Sequence, residues 1–160
     1  MKLSVCVPTY HHGKYISQML EGALMQQTSF PFEIVIGDDG SSDNTQEVIR
    51  DYMKKHPGRI RAFLHTENQG PAFPREFAGR NNVLGLLKAC EGEYVAMCEG
   101  DDYWTDPYKL QKQVDFLDQN PDYSISHHNV NVIYEDGSAA HYFNGPTQSA
   151  TSYLEDILAD

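Results

Sequence analysis

Two short acidic runs carry the most chemistry in this sequence of 160 residues. The pair Asp38 and Asp39 and the run EGDD at residues 99–102 each follow an apolar stretch. Neighbouring carboxylates repel one another unless a cation or hydrogen-bond donors meet them, and their oxygens are ligands that Mg²⁺ and Mn²⁺ prefer. Two interpretations are open for each run: acids that only close a turn, and acids that face a polar crevice with a divalent cation.

The charge balance narrows the range of partners. The chain has 23 acidic and 12 basic residues, and its formal net charge is −11. Nucleic-acid partners require a basic surface, so we expect none here. A phosphate-bearing small molecule remains compatible with this charge, because a divalent cation can lie between carboxylates and phosphates.

The elements that must position these acids alternate regularly. Apolar runs at 3–7, 32–36, 60–65 and 94–98 predict strands, and amphipathic stretches between them predict helices. Such alternation predicts an α/β fold with a mostly parallel sheet and helices on both faces. Ligands of such sheets bind at the carboxyl ends of the strands. If strands two and four flank strand one, both acidic runs border one crevice.

Further local patterns complete the predicted elements. Asn44 and Glu47 have the spacing of a capping box at the start of the second helix. The apolar pattern at 124–134 predicts a fifth strand. The third helix is predicted to bury one face, formed by Val83, Leu84, Leu87 and Cys90.

The segment PTYHHG at residues 8–13, after strand one, lacks the familiar phosphate-binding patterns. It contains neither the G-x-G-x-x-G of dinucleotide-binding folds nor the G-K-[S/T] of a P-loop. It also lacks the Gly-rich basic loop of nucleotidyltransferases, which remain an alternative, as does a non-catalytic nucleotide-binding module. Thr9 and Tyr10 offer a hydroxyl and a flat ring suited to a nucleobase. His11 and His12 are interpreted as turn residues, with His12 near phosphates as the alternative.

Other side chains near the second acidic run have less specific interpretations. Tyr103 and Trp104 either line a sugar pocket or pack beneath the fourth helix. Cys6, Cys90 and Cys98 form no C-x-x-C pair. We therefore expect buried reduced thiols rather than a metal or redox site.

Four motifs occur in the order and spacing of a known family: VCVPTY at 5–10, IGDDGSSDNT at 36–45, EGEYV at 91–95 and EGDDYW at 99–104. Together they resemble the family 2 glycosyltransferases. The resemblance implies a GT-A fold, which is Rossmann-like, and a nucleoside-diphosphate-sugar donor, with a UDP-sugar favoured. It also implies Mn²⁺ or Mg²⁺ as cofactor, a glycan or lipid-linked acceptor, and transfer with inversion.

The resemblance also implies roles for individual residues. The implied nucleotide contacts are Pro8, Thr9, Tyr10, Asp39, Arg80 and Asp101. The implied metal ligands are Glu99, Asp101 and Asp102. Glu99 replaces the usual first aspartate of the family's D-x-D motif, and Arg75 is an alternative to Arg80 as a phosphate contact.

We expect residues 1–160 to form a single GT-A domain whose C-terminal acceptor part is missing. A helical pattern at 151–160 predicts an exposed apolar face, which favours self-association as a homodimer. No carboxylate there matches the family's general base, so no catalytic residue is assigned. The sequence has neither a signal peptide nor the run of about 20 apolar residues that spans a bilayer. We expect a cytoplasmic protein without a transmembrane segment, or one that lies peripherally at the inner face of the membrane.

Overall fold

The computed structural model describes residues 1–70 and 79–143 of the chain. The chain divides into two compact units, Met1–Asn120 and Pro121–Asp160. Among the described residues, no helix is both long enough and apolar enough to cross a membrane.

A four-stranded parallel sheet forms the centre of the first unit. Its strands are β1 (Leu3–Thr9), β2 (Phe32–Asp38), β3 (Ile60–Leu64) and β4 (Tyr94–Met97). Their order across the sheet is β3-β2-β1-β4, so β1 lies between β2 and β4. All three pairings are parallel, which confirms the predicted sheet. The condition under which both acidic runs border one crevice is therefore met.

Helices cover both faces of this sheet, as predicted. They are α1 (Ile16–Leu24), α2 (Thr45–Lys55), α3 (Arg80–Ala89) and α4 (Lys109–Gln119). Two layers arise because successive side chains of a strand point to opposite faces. Val5 and Val7 pack with residues of α1, α2 and α4 in the main core, whereas Cys6 packs with Leu86 of α3 in a smaller one.

The cysteines are free thiols. Cys6 and Cys98 are buried and Cys90 is half-buried. Burial raises the pKa of both Cys6 and Cys98 to about 12, so these thiols stay protonated at neutral pH. The prediction of buried reduced thiols is confirmed for Cys6 and Cys98.

The buried face of α3 differs from the predicted one. Asn82 and Leu86 are buried, whereas Leu84 and Leu87 are 41% and 40% exposed. The Asn82 side chain donates a hydrogen bond to the Gly37 carbonyl at 2.8 Å, which sets the rotation of the helix. Apolar periodicity alone could not reveal a buried face that includes a polar residue.

The start of α2 also differs from the prediction. Asn44 makes no side-chain capping hydrogen bond in the described structure. Instead, one oxygen of Asp43 accepts the Thr45 N–H at 3.0 Å, and the other accepts the Gly13 N–H at 3.0 Å. Burial by itself raises the pKa of Asp43, but hydrogen bonds from the Thr45 hydroxyl and from these two N–H groups outweigh it and lower that pKa. The predicted capping box is wrong, because the Asp43 carboxylate caps the start of α2 and ties it to the loop after β1.

The described part of the second unit contains one short antiparallel pair, β5 (Asn131–Val132) and β6 (His141–Tyr142). In the turn between them, Gly137 at φ 80° donates its N–H to the Tyr134 carbonyl at 3.3 Å. The predicted strand at 124–134 is wrong for most of its length, because only β5 pairs and its partner is the next segment. The predicted helix at 151–160 lies outside the described residues.

Candidate functional site

The carboxyl ends of β1, β2 and β4 bring the two acidic runs to one edge of the sheet. The Asp39 N–H donates a hydrogen bond to the Thr9 carbonyl at 3.0 Å, and the Gly100 N–H donates to the Pro8 carbonyl at 3.1 Å. Each run is thus bonded to the end of β1. Because β2 and β4 lie on opposite sides of β1, the two runs flank its last residues.

Asp38 has a structural role at this edge. The residue is fully buried. Its oxygens accept hydrogen bonds from the N–H and hydroxyl of Ser41 and from the side-chain amide of Gln46. These donors satisfy a buried carboxylate without a cation and hold the turn into α2. For Asp38, the interpretation as an acid that closes a turn is correct.

Asp39 contacts the loop after β3. It is 2% exposed, and its Oδ1 accepts the Gln69 N–H at 2.6 Å. The Gln69 carbonyl in turn accepts the side-chain amide of Asn81, in α3, at 2.6 Å. A carboxylate can accept about four hydrogen bonds. Asp39 therefore has capacity for a ligand as well as for this loop.

The end of β1 combines a buried hydroxyl with an exposed ring. Thr9 is 3% exposed, and its Oγ1 has no hydrogen-bond partner within residues 1–70 and 79–143. Buried polar atoms nearly always have a partner, so this hydroxyl calls for a ligand or a water molecule. The Tyr10 ring is 43% exposed and stacks on the His11 ring, with 4.0 Å between the centroids.

His11 joins the loop after β1 to the loop after β2. Its φ of 56° lies in the left-handed region, which is unusual for a residue with a side chain. The Ser41 hydroxyl accepts its N–H at 2.8 Å, and its Nε2 lies 3.0 Å from the Ser42 hydroxyl. Backbone strain of this kind persists where surrounding contacts enforce it, and it is concentrated at functional sites.

Gly100 lets the second acidic run lie directly against β1. A Cβ atom here would come within 2.4 Å of Thr9 Oγ1 and 2.7 Å of His12 Nδ1. A larger residue would therefore displace the loop. The buried Nδ1 of His12 also has no hydrogen-bond partner in the part of the chain that the structure describes. We call Thr9 Oγ1 and His12 Nδ1 the orphan pair; both atoms face the middle of the acidic run.

Asp101 and Asp102 lie beside the orphan pair. His12 Nδ1 is 3.7 Å from the Oδ1 of Asp101, too far for a hydrogen bond. Burial and the charge of Asp101 raise the pKa of Asp102, and His12 offsets this only in part. The local environment therefore disfavours a second negative charge, and a bound cation would relieve this.

A comparison with known families decides the affiliation of the chain. The model described as Glycosyl transferase family 2 matches residues 4–152. The chain belongs to glycosyl transferase family 2. The resemblance of its four motifs to this family is thereby confirmed.

Relatives in this family are longer than the chain. An uncharacterized protein of Mycobacterium tuberculosis is 42% identical over 136 residues, which make up 85% of this chain and 37% of that protein. The poly(ribitol-phosphate) β-N-acetylglucosaminyltransferase TarS of Staphylococcus aureus is 36% identical over 123 residues, 75% of this chain and 19% of TarS. The chain thus spans less than two fifths of the length of either relative.

Solved structures of glycosyltransferases share the fold. The crystal structure of S. aureus TarS 1–349 in complex with UDP has a TM-score of 0.60 and 30% identity, over 76% of this chain and 33% of that one. The mannosyltransferase PcManGT from Pyrobaculum calidifontis, in complex with GDP-Man and Mn²⁺, has a TM-score of 0.60 and 26% identity, over 72% and 32%. These similarities confirm the predicted GT-A fold.

The carboxylates of the second acidic run are of the chemical type that binds a divalent cation. Among the described residues, no three His, Cys, Asp or Glu side chains are grouped so as to hold a metal ion. Asp101 and Asp102 are electrostatically coupled, whereas Glu99 is exposed and its carbonyl accepts the Asp102 N–H at 3.1 Å. Mg²⁺ commonly combines one or two carboxylates with substrate phosphates. The pair therefore fits a cation that binds together with a diphosphate.

Trp104 packs in the core instead of lining the crevice. It is 8% exposed, and its backbone lies against Gly22 of α1. The Nζ of Lys109 lies 4.2 Å from the centre of the indole, and burial lowers the pKa of this lysine to about 8. Of the two interpretations, packing beneath α4 is correct for Trp104. Tyr103 is 37% exposed and remains a candidate wall of the crevice.

Arg80 and Arg75 are the two arginines predicted to contact the phosphates. Arg80 is the exposed first residue of α3, and its contact with the donor stays a prediction. Arg75 lies outside the described residues.

The motif match missed two residues that act through the backbone, Gln69 and Gly100. A small residue between acids was the available signal for Gly100, whereas nothing in the sequence marked Gln69.

Proposed function

We propose that this chain forms the donor-binding part of a glycosyltransferase and binds a nucleoside-diphosphate sugar at the carboxyl edge of its sheet. The observation that carries the proposal is the strand order β3-β2-β1-β4, because it sets both acidic runs beside the orphan pair. Family 2 membership favours sugar transfer over nucleotidyl transfer and over a module that binds nucleotides without catalysis.

The nucleoside is bound by the ends of β1 and β2 in this proposal. Thr9 Oγ1 and the Asp39 carboxylate hydrogen-bond the base or ribose, and the exposed Tyr10 ring gives a stacking surface. Pro8 precedes Thr9 at the end of β1, and its carbonyl fixes the second acidic run through Gly100. Arg80 contacts the phosphates.

The diphosphate is bound through Mn²⁺ or Mg²⁺. Asp101 and Asp102 are its ligands, with Glu99 as a third candidate, and Asp101 also contacts the nucleotide. The raised pKa of Asp102, caused by burial and by the charge of Asp101, supports this assignment, because a bound cation favours the charged carboxylate. When bound, the cation supplies charge that stabilises the nucleoside diphosphate as a leaving group.

A UDP-sugar is the favoured donor. TarS, which resembles this chain, has been solved with UDP and with UDP-GlcNAc, whereas PcManGT has been solved with GDP-Man. The acceptor is a glycan or a lipid-linked hydroxyl, and transfer proceeds with inversion, as the family resemblance implies. No residue of the chain is assigned as the general base.

Thermal unfolding with UDP, GDP or dTDP, each with and without Mn²⁺, tests the proposal. A ligand at a hundredfold excess over its Kd stabilises the folded state by about 2.7 kcal/mol. We therefore expect a clear rise in melting temperature with UDP and Mn²⁺ and a smaller one with UDP alone. Pyrophosphate with Mn²⁺ controls for binding through phosphate only. If none of the three nucleotides changes the melting temperature with Mn²⁺ present, the donor-binding function is wrong.

A further inference from the structure

The orphan nitrogen of His12 has an acceptor close by. Its Nδ1 is 3.7 Å from the Oδ1 of Asp101, whose side chain is 47% exposed. A buried polar atom without a hydrogen bond costs free energy comparable to that of the lost bond. A slight closure would remove this cost, because a charge-assisted N–H···O bond needs a separation of about 2.7–2.9 Å.

The backbone of His12 is anchored more firmly than the side chain of Asp101. The His12 carbonyl accepts the N–H groups of Tyr15 and Ile16, at 2.9 and 2.8 Å, at the start of α1. The next residue, Gly13, is bound by the Asp43 carboxylate. Asp101 lies in an exposed part of the acidic run, so its carboxylate is the partner that moves when the gap closes.

Thr9 supplies the second orphan atom beside the acidic run, and its hydroxyl is available to a ligand. Only 3% of Thr9 is exposed, and its orphan hydroxyl faces Gly100, as His12 Nδ1 does. Two orphan atoms of different residues therefore converge on Gly100, the residue before Asp101. The ligand can satisfy the hydroxyl, whereas Asp101 can satisfy the nitrogen.

We propose that His12 is a positioning residue, which orients the Asp101 carboxylate when a nucleoside diphosphate and its divalent cation bind. The inference rests on the proposed function. Its Nδ1–H donates to one oxygen of Asp101, which restricts the rotation of the carboxylate and turns its other oxygen to the ligand. Groups that orient a metal-binding side chain in this way typically change affinity by about 10- to 100-fold.

Asparagine and glutamine distinguish the two ring nitrogens of His12. The amide nitrogen of asparagine is at the δ position, like Nδ1, and that of glutamine is at the ε position, like Nε2. Calorimetric titration of the 160-residue chain with UDP, with and without Mn²⁺, compares them. We expect His12→Leu and His12→Gln to weaken UDP binding with Mn²⁺ by about tenfold. His12→Asn should restore most of the affinity. Without Mn²⁺ the losses should be smaller, because only the contact of Asp101 with the nucleotide remains.

A double-mutant cycle shows whether His12 acts through Asp101. In the Asp101→Ala background, His12→Leu should cause no further loss, because the acceptor that His12 orients is gone. His56→Leu is the matched control, since His56 is the residue that follows α2 and it stacks on Tyr52, outside the loops of the site. This control should bind UDP like the wild type.

The outcomes separate this inference from the function on which it rests. If the wild type binds UDP with Mn²⁺ and His12→Leu binds it equally well, the positioning role is wrong and the donor-binding function stands. Equal losses with and without Mn²⁺, or losses that add to those of Asp101→Ala, also overturn it. If the wild type binds no nucleoside diphosphate, the donor-binding function fails and takes this inference with it. Should His12→Leu not fold, the contrast between His12→Asn and His12→Gln decides.

Discussion

Buried polar groups are hydrogen-bonded at the amino end of the sheet, whereas at its carboxyl end the orphan pair lacks partners among the described residues. At the amino end, Glu33 of β2 is 8% exposed and hydrogen-bonded from three sides. Its carboxylate accepts the Ser4 hydroxyl at 2.7 Å, the Glu91 N–H at 3.1 Å and the Arg61 guanidinium at 3.0 Å. At the carboxyl end, the orphan pair lies beside carboxylates that repel each other.

This difference separates stability from ligand binding. Arg61 also donates to the Ala89 carbonyl, so the Glu33 network holds the end of α3 as well as the three strands β1, β2 and β3. Burial by itself raises the pKa of Glu33, but hydrogen bonds from Ser4 and Glu91 and the charge of Arg61 outweigh it and lower that pKa. At the other end, the pKa of Asp102 is raised. A buried network whose groups all form hydrogen bonds stabilises the fold, whereas buried groups without hydrogen bonds are concentrated at ligand-binding sites.

Glu33→Ala should disrupt the hydrogen-bond network at the amino end of the sheet and cause the largest loss of folding stability. It leaves the Ser4 hydroxyl without its acceptor and the Glu91 N–H with only the Ser4 oxygen, and it removes one partner of the Arg61 guanidinium. We expect a loss of about 3 kcal/mol in the free energy of unfolding, measured by urea denaturation, with UDP affinity unchanged in the folded protein. Glu33→Gln keeps one acceptor oxygen and should lose less. A loss no greater than that of a surface ion pair, about 0–1 kcal/mol, would contradict the comparison.

The same network predicts a dependence of stability on pH. Because the folded pKa of Glu33 is lower than its unfolded value, its contribution is complete above the unfolded pKa, about 4.3. The contribution is lost as pH falls through the folded pKa. The stability advantage of the wild type over Glu33→Gln should therefore shrink in urea denaturation series from pH 6 to about pH 3. An advantage that stays constant over this range would show that the charge of Glu33 is unimportant.

Gly100→Ala should damage the binding end while the sheet remains intact. The new Cβ would collide with both atoms of the orphan pair, so the acidic run must move away from β1. We expect a stability cost of about 1–3 kcal/mol and a loss of UDP affinity, measured with Mn²⁺, of about tenfold. Gly85→Ala is the matched control, since its Cβ would have no described atom within 4 Å. That helix position should gain about 0.5–1 kcal/mol. Unchanged UDP affinity in Gly100→Ala would place the site elsewhere.

Asp102→Asn should produce the smallest change in stability, and one of opposite sign. Burial and Asp101 disfavour the charge of Asp102, so its removal should slightly raise the melting temperature of the free protein at neutral pH. The variant should lose the Mn²⁺-dependent part of UDP binding. Asp39→Asn, by contrast, should weaken UDP binding whether or not Mn²⁺ is present. A lower melting temperature for Asp102→Asn, or the same binding pattern for both variants, would show that the assigned roles are wrong.

Much of the fold could be predicted because its signals are local. The four apolar runs became the four parallel strands, and the acids that follow two of them meet at one edge. The predictions that failed concern elements whose state depends on distant partners. The face of α3 follows a hydrogen bond from Asn82 to Gly37. Residues 124–134 had the pattern of a strand, but in the described part of the chain only β6 pairs with them. Apolar periodicity contains neither kind of information.

The sequence by itself determined the parallel sheet, the acidic runs at its strand ends and the family. Only the tertiary structure decided which acids are already satisfied. Asp38 and Asp39 are neighbours of the same type, yet Asp38 is saturated by Ser41 and Gln46, whereas Asp39 reaches the loop after β3. The physical reason is that apolar patterns repeat along the chain, whereas a buried polar group depends on whichever donors and acceptors the fold brings within about 3 Å.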